Sequence, residues 1–76
     1  MLDPKDMTQF QKVIQGLKIF EQYLSPKDNP GDVSAEHDMI YVGGVHPDAL
    51  GGDDRKLLEA MGWEWNRSFA AWERTL

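Results

Sequence analysis

Met7, Phe10, Val13, Ile14, Leu17, Phe20, Tyr23 and Leu24 recur at three- and four-residue steps, the spacing that lines one face of an α-helix. A lone amphipathic helix cannot bury its own apolar face, so the rest of the chain has to provide a surface for it. Only 76 residues are available for this, near the size at which one core just outweighs chain entropy. There is no cysteine, so neither a disulfide framework nor a thiolate metal site can assist. Packing, alone or with a partner, has to hold residues 1–76 as a single domain. With 41% hydrophobic residues and three tryptophans, the chain has the apolar area to do so, and disorder is not expected.

Local signals place the other elements. Asp3 reads as the N-cap of the long helix, with Pro4 at its first position and Asp6 in its first turn, where acids meet the positive end of the dipole. Leu2 and Met7 would staple that cap. Gly16 is costly in a helix interior and so points to close packing against another element. Ser25-Pro26 is expected to end the helix, because the residue before proline is pushed out of the α region. Residues 26–35 carry turn formers and read as an exposed loop. Met39-Ile40-Tyr41-Val42, stopped by Gly43-Gly44, reads as a buried strand. Residues 43–52 form a second loop in which Val45, Ala49 or Leu50 would tuck inward.

A short helix is expected over residues 53–61, with Leu57, Leu58 and Met61 inward and Gly62 closing it. Trp63-Glu64-Trp65 and Ala71-Trp72-Glu73 then alternate as the strands of a hairpin turning through 66–70. The predicted order is α-β-α-β-β, an α+β fold in which an antiparallel three-stranded sheet packs on the long N-terminal helix.

The charge is uneven. The formal net charge is −5, and between residues 28 and 54 there are seven acids (Asp28, Asp32, Glu36, Asp38, Asp48, Asp53, Asp54) and no Lys or Arg. Such a single-sign block presents a negative face to a basic partner. The same acids also start turns and cap helices, which is the structural alternative. A net negative chain repels phosphate backbones and anionic lipid, so direct nucleic-acid and membrane binding are disfavoured. No apolar run approaches a membrane span, and Met1-Leu2-Asp3-Pro4 does not open a signal pattern, so a cytoplasmic location is expected.

Chemistry-bearing patterns are sparse. His37 and His46 each have acids beside them, in Glu36-His37-Asp38 and His46-Pro47-Asp48, and would form a transition-metal site if their two loops met. A histidine at a strand edge is more commonly a hydrogen-bonded structural group. There is no cysteine nucleophile, no nucleophile elbow around Ser25, Ser34 or Ser68, no phosphate loop and no EF-hand spacing, so neither catalysis nor a cofactor is expected. Among Trp63, Trp65 and Trp72, the first two share a strand face and Trp72 pairs across the hairpin with one of them. At least two are expected in the core. Trp65 is the candidate for partial exposure as an interface anchor.

The strand Glu36-His37-Asp38-Met39-Ile40-Tyr41-Val42, the acid-started helix ending Leu58-Glu59-Ala60-Met61-Gly62-Trp63 and the closing hairpin with Trp72 resemble a group of small uncharacterised bacteriophage and prophage proteins. The resemblance covers residues 36–76. Gly51-Gly52 stands where that group more usually has a serine-type cap. It implies the same small α+β fold and an accessory protein that acts by binding a host or phage protein, some such proteins imitating DNA with spaced carboxylates. It carries over no catalytic residue.

The expected function is therefore a non-enzymatic protein-binding module, an inhibitor presenting Asp32, Glu36, Asp38, Asp48, Asp53, Asp54 and Trp65 to a basic host protein surface. The alternatives are a small metal-binding protein using His37 and His46, and a homodimer that covers an exposed patch or sheet edge.

Overall fold

The computed structural model describes residues 3–76. The helix begins later than Asp3. Asp3 instead caps a single 3-10 turn, Pro4–Asp6, its carboxylate accepting from the Lys5 N–H at 3.1 Å. The long helix α1 spans Gln9–Glu21 and is started by a reciprocal cap. Thr8 Oγ1 accepts from the Gln11 N–H at 3.1 Å, and Gln11 Oε1 accepts from the Thr8 N–H at 2.8 Å. Thr8-x-x-Gln11 satisfies two orphan donors where Asp3 would satisfy one, which is why the later start wins. The expected staple through Leu2 lies outside the described residues. Pro26 does not end the helix. α1 stops at Glu21, and a loop closed by paired Ser25 and Asn29 backbones turns the chain.

The expected loop over 26–35 contains a strand. β1 (Asp32–Glu36) joins β2 (Met39–Gly43) through a two-residue turn at His37 and Asp38, His37 taking φ 56°. α2 spans Gly52–Ala60, and β3 (Glu64–Asn66) and β4 (Ala71–Thr75) form the C-terminal hairpin. Among the described residues the sheet therefore has four antiparallel strands rather than three, in the order β1-β2-β4-β3, and the long elements run α-β-β-α-β-β. β1 escapes pattern reading because all five of its residues are exposed, so no apolar stripe marks it. Its existence rests on pairing with β2.

Strand alternation sorts the sheet into two faces. Val33 and Ala35, Ile40 and Val42, Trp72 and Arg74, and Trp65 lie on one face, as the registers Val33↔Val42, Ala35↔Ile40, Val42↔Trp72, Ile40↔Arg74 and Trp65↔Trp72 require. This inner face meets both helices. The core joins Ile19 and Phe20 of α1, Ile40, Val42 and Trp72 of the sheet, Leu58 and Met61 at the end of α2, and Met7, Val45, Leu50 and Trp63 from the connections. Val45 and Leu50 tuck inward as expected, whereas Ala49 is exposed.

Trp63 precedes β3 and fills the centre, edge-on to Phe20 at 5.1 Å and donating its indole N–H to the Lys12 carbonyl at 3.2 Å. Trp72 donates to the Val45 carbonyl at 2.9 Å. Each indole thus buries its area with its polar tip satisfied. Gly16 faces Trp63, and a Cβ there would overlap the indole atoms Nε1, Cε2 and Cζ2. The close packing expected of Gly16 is therefore present. Gly62, at φ 92°, closes α2 in the left-handed position expected of it.

α1 is turned so that Gly16, Ile19 and Phe20 form its buried seam. Ile19, which the three- and four-step list omits, is core, and Phe10, which it includes, is 74% exposed. The apolar stripe of α1 is wider than the sheet covers, and its flank looks over β1, where Val33 is 59% exposed.

Candidate functional site

The outer face of the sheet collects the residues of opposite parity: Asp32, Ser34 and Glu36 on β1, Met39, Tyr41 and Gly43 on β2, Ala71, Glu73 and Thr75 on β4, and Glu64 and Asn66 on β3. Neither helix covers this face, because both pack on the other one. Among the described residues no Lys or Arg occupies an outward strand position. Arg74, the single cation in the described strands, points inward, 6% exposed, and burial lowers its pKa from the ordinary guanidinium value. Its Nε donates to the Met61 carbonyl at 2.8 Å, Nη1 to the Thr75 carbonyl at 2.7 Å and Nη2 to Gln9 Oε1 at 2.9 Å, tying α1, α2 and β4 together.

The centre of the outer face is one row across the sheet, Ser34, Tyr41, Glu73 and Glu64. Glu64 and Glu73 are directly opposed, an arrangement of like charges that destabilises a strand pair. The Asn66 amide donates to Glu73 Oε2 at 3.1 Å and holds that carboxylate in place. From the β3–β4 turn, Phe69 sets its ring edge-on to Tyr41 at 5.7 Å while remaining 66% exposed. Asn66 fixes this turn as well, its Oδ1 accepting from the Ser68 and Phe69 N–H groups at 2.9 and 3.1 Å. Between Phe69 and β1 lies a shallow basin of about 250 Å³ floored by Tyr41, Gly43 and Ala71 and edged by Asp32, Ser34 and Glu36. An aromatic pair ringed by carboxylates has the composition of a surface that receives cationic side chains.

The residues singled out in the sequence do not assemble into one site. Asp32 and Glu36 belong to the outer face, and Asp38 sits at the tip of the β1–β2 turn. Asp48 lies in the 3-10 turn Pro47–Ala49, and Asp53 and Asp54 lie in the first turn of α2, where the dipole favours acids. Asp54 accepts from the Tyr23 hydroxyl, whose oxygen in turn accepts from the Gly51 N–H at 3.0 Å. The Asp54 hydrogen bond raises the Tyr23 phenol above its ordinary pKa, and the Gly51 N–H acts in the opposite direction. Trp65 is half-buried on the inner face, against Trp72 at 5.9 Å and His46 at 5.3 Å.

Glu64, Glu73, Tyr41 and Phe69 of the outer face are not among the residues the sequence singles out. The alternation Glu64-Trp65 and Trp72-Glu73 held the signal, since a tryptophan facing the core sends its strand neighbour to the other side.

His37 and His46 do not meet. They stand beyond opposite ends of β2, and His46 Nδ1 accepts from the Asp48 N–H at 3.1 Å. Among the described residues no group of three or more His, Cys, Asp or Glu could hold a metal ion. No helix among them is long and apolar enough to cross a membrane. Compared with known protein families, curated proteins and solved structures, the chain matches none.

Proposed function

We propose that the protein is a binding module whose outer sheet face, Asp32, Glu36, Glu64 and Glu73 around Tyr41 and Phe69, receives a basic surface of a partner protein. The observation that carries this is the opposed pair Glu64 and Glu73 on a face with no outward strand cation. Two carboxylates held side by side weaken the hairpin that bears them, and a cation bridging them removes that penalty. The acidic block expected from the sequence is thereby divided. Asp32 and Glu36 contribute to the face, while Asp48, Asp53 and Asp54 serve turns and the start of α2.

The test compares two charge-reversed proteins against a partner captured by the unaltered chain. Asp32→Lys with Glu73→Lys should lower affinity more than about tenfold and flatten its salt dependence, because screened attraction between exposed charges supplies the binding. Asp48→Lys with Asp53→Lys should leave the affinity within about twofold. Equal effects of the two pairs, or none from the first, exclude the outer face as the binding surface.

A further inference from the structure

β1 is an edge strand, and its two faces differ. Asp32, Ser34 and Glu36 continue the acidic outer face, whereas Val33 and Ala35 lie exposed on the inner side. The uncovered flank of α1 leaves two apolar grooves. One, of about 550 Å³, reaches β1 and includes Leu17, Leu24 and Val33 in its lining, and the other, of about 530 Å³, reaches the sheet at Ile40, the partner of Ala35, and includes Phe10, Val13 and Leu76. β1 closes on β2 through a two-residue turn, so the Glu36↔Met39 pair is the hydrogen-bonded one and the alternate residues Ala35 and Val33 direct their backbone groups to the open edge. A strand with unpaired backbone, an acidic side and an apolar side is a template for one more strand.

We propose that an extended segment of a partner chain adds to β1 as a fifth strand, and that this segment alternates Lys or Arg with apolar residues. Its cations would lie beside Asp32 and Glu36, and its apolar side chains would enter the grooves along α1. The reversal of side chains at every residue requires that alternation. A second copy of this chain fits the edge poorly. Antiparallel pairing of β1 with itself about Ser34, the register that pairs all five of its residues, sets Asp32 against Glu36 at both ends, like charges directly opposed. The inference rests on the acidic outer face for its cations but adds the edge, the alternation and the apolar half of the ligand.

The experiment titrates the full chain, followed by backbone amide NMR, with a blocked seven-residue peptide alternating Lys and Val and with a peptide of the same composition in two blocks. The alternating peptide should bind at least about tenfold tighter, with its largest shifts at Val33 to Ala35. Ala35→Pro removes an N–H aimed at the open edge and no pairing to β2, and it should abolish binding. Val33→Lys, at a 59% exposed position, should weaken binding at least about tenfold without depending on how a proline is tolerated.

Binding unaffected by both variants overturns the added strand, as does no binding up to about 1 mM. If Glu73→Lys then weakens both peptides alike, the acidic face stands without the edge. A dimer in sedimentation that Val33→Lys dissolves overturns the proposal in favour of self-covering.

Discussion

Gly16 sets how closely α1 approaches the core, because only a hydrogen side chain leaves room for the Trp63 indole. Gly16→Ala gains about 1 kcal/mol of helix propensity but overpacks a centre made of rigid rings, at a cost of about 1–3 kcal/mol with displacement of Trp63. The overpacking should win by about 1 kcal/mol, lowering the melting temperature by about 4–8 °C in a thermal scan. Arg74 is the second residue on which several elements depend. Arg74→Met keeps the stem but removes the donors that reach Met61, Thr75 and Gln9. Leaving the Met61 carbonyl unpaired in a buried site should cost about 2–3 kcal/mol, read as a lower urea midpoint with an unchanged slope.

Tyr23 allows a check by titration. Its pKa is raised, so the stability it contributes is present below the ordinary phenol value and is lost as pH rises through the raised one. In an absorbance titration above pH about 10, Asp54→Ala should bring one of the two tyrosines back down.

At the scale of elements, the legible ones were those with an apolar reason to exist. Ile40 and Val42, Leu58 and Met61, and Trp65 opposite Trp72 each bury one side of their element, and the alternation or turn spacing showed it. β1 buries nothing, so its Val33 and Ala35 looked like loop residues. The available cue was the two-residue turn His37-Asp38 between an alternating Asp-Val-Ser-Ala-Glu run and a strong strand. The start of α1 differs from the expected one for a different reason. Asp3-Pro4 and Thr8-x-x-Gln11 are both valid start signals, and the distinction lies in the tertiary position of Met7, which is buried at 7% exposure between the two caps. Thr8→Ala removes one half of the reciprocal cap and should cost about 1 kcal/mol in chemical denaturation, whereas Asp3→Ala, which caps only the 3-10 turn, should cost less than half of that.

Over the whole molecule, the distribution of charge between faces matters more than its total. The acidic run along the chain reads as one feature, but the fold sends Asp32 and Glu36 to the outer face and commits Asp54 to Tyr23, while bringing Glu64 and Glu73 in from the C-terminal hairpin. Strand parity was readable once the tryptophans were assigned inward. Which strands became neighbours was not, since the β2–β4 pairing that joins the two hairpins into one sheet is a non-local contact with no local signal.

This placement sets stability against binding in a measurable way. Glu64→Lys converts the opposed carboxylates into an opposite-charge pair with Glu73 at a position where no burial changes. A cross-strand pair of this kind contributes about 0.2–1 kcal/mol, and the lost repulsion adds in the same direction, so the melting temperature should rise by about 4–8 °C. The same cation would occupy the carboxylates that the proposed partner needs, and affinity for a basic partner should fall more than about tenfold. If the proposed face is used, keeping the destabilising pair there trades stability for binding. If Glu64→Lys lowers the melting temperature, or raises it with partner affinity unchanged, the pair has no such use.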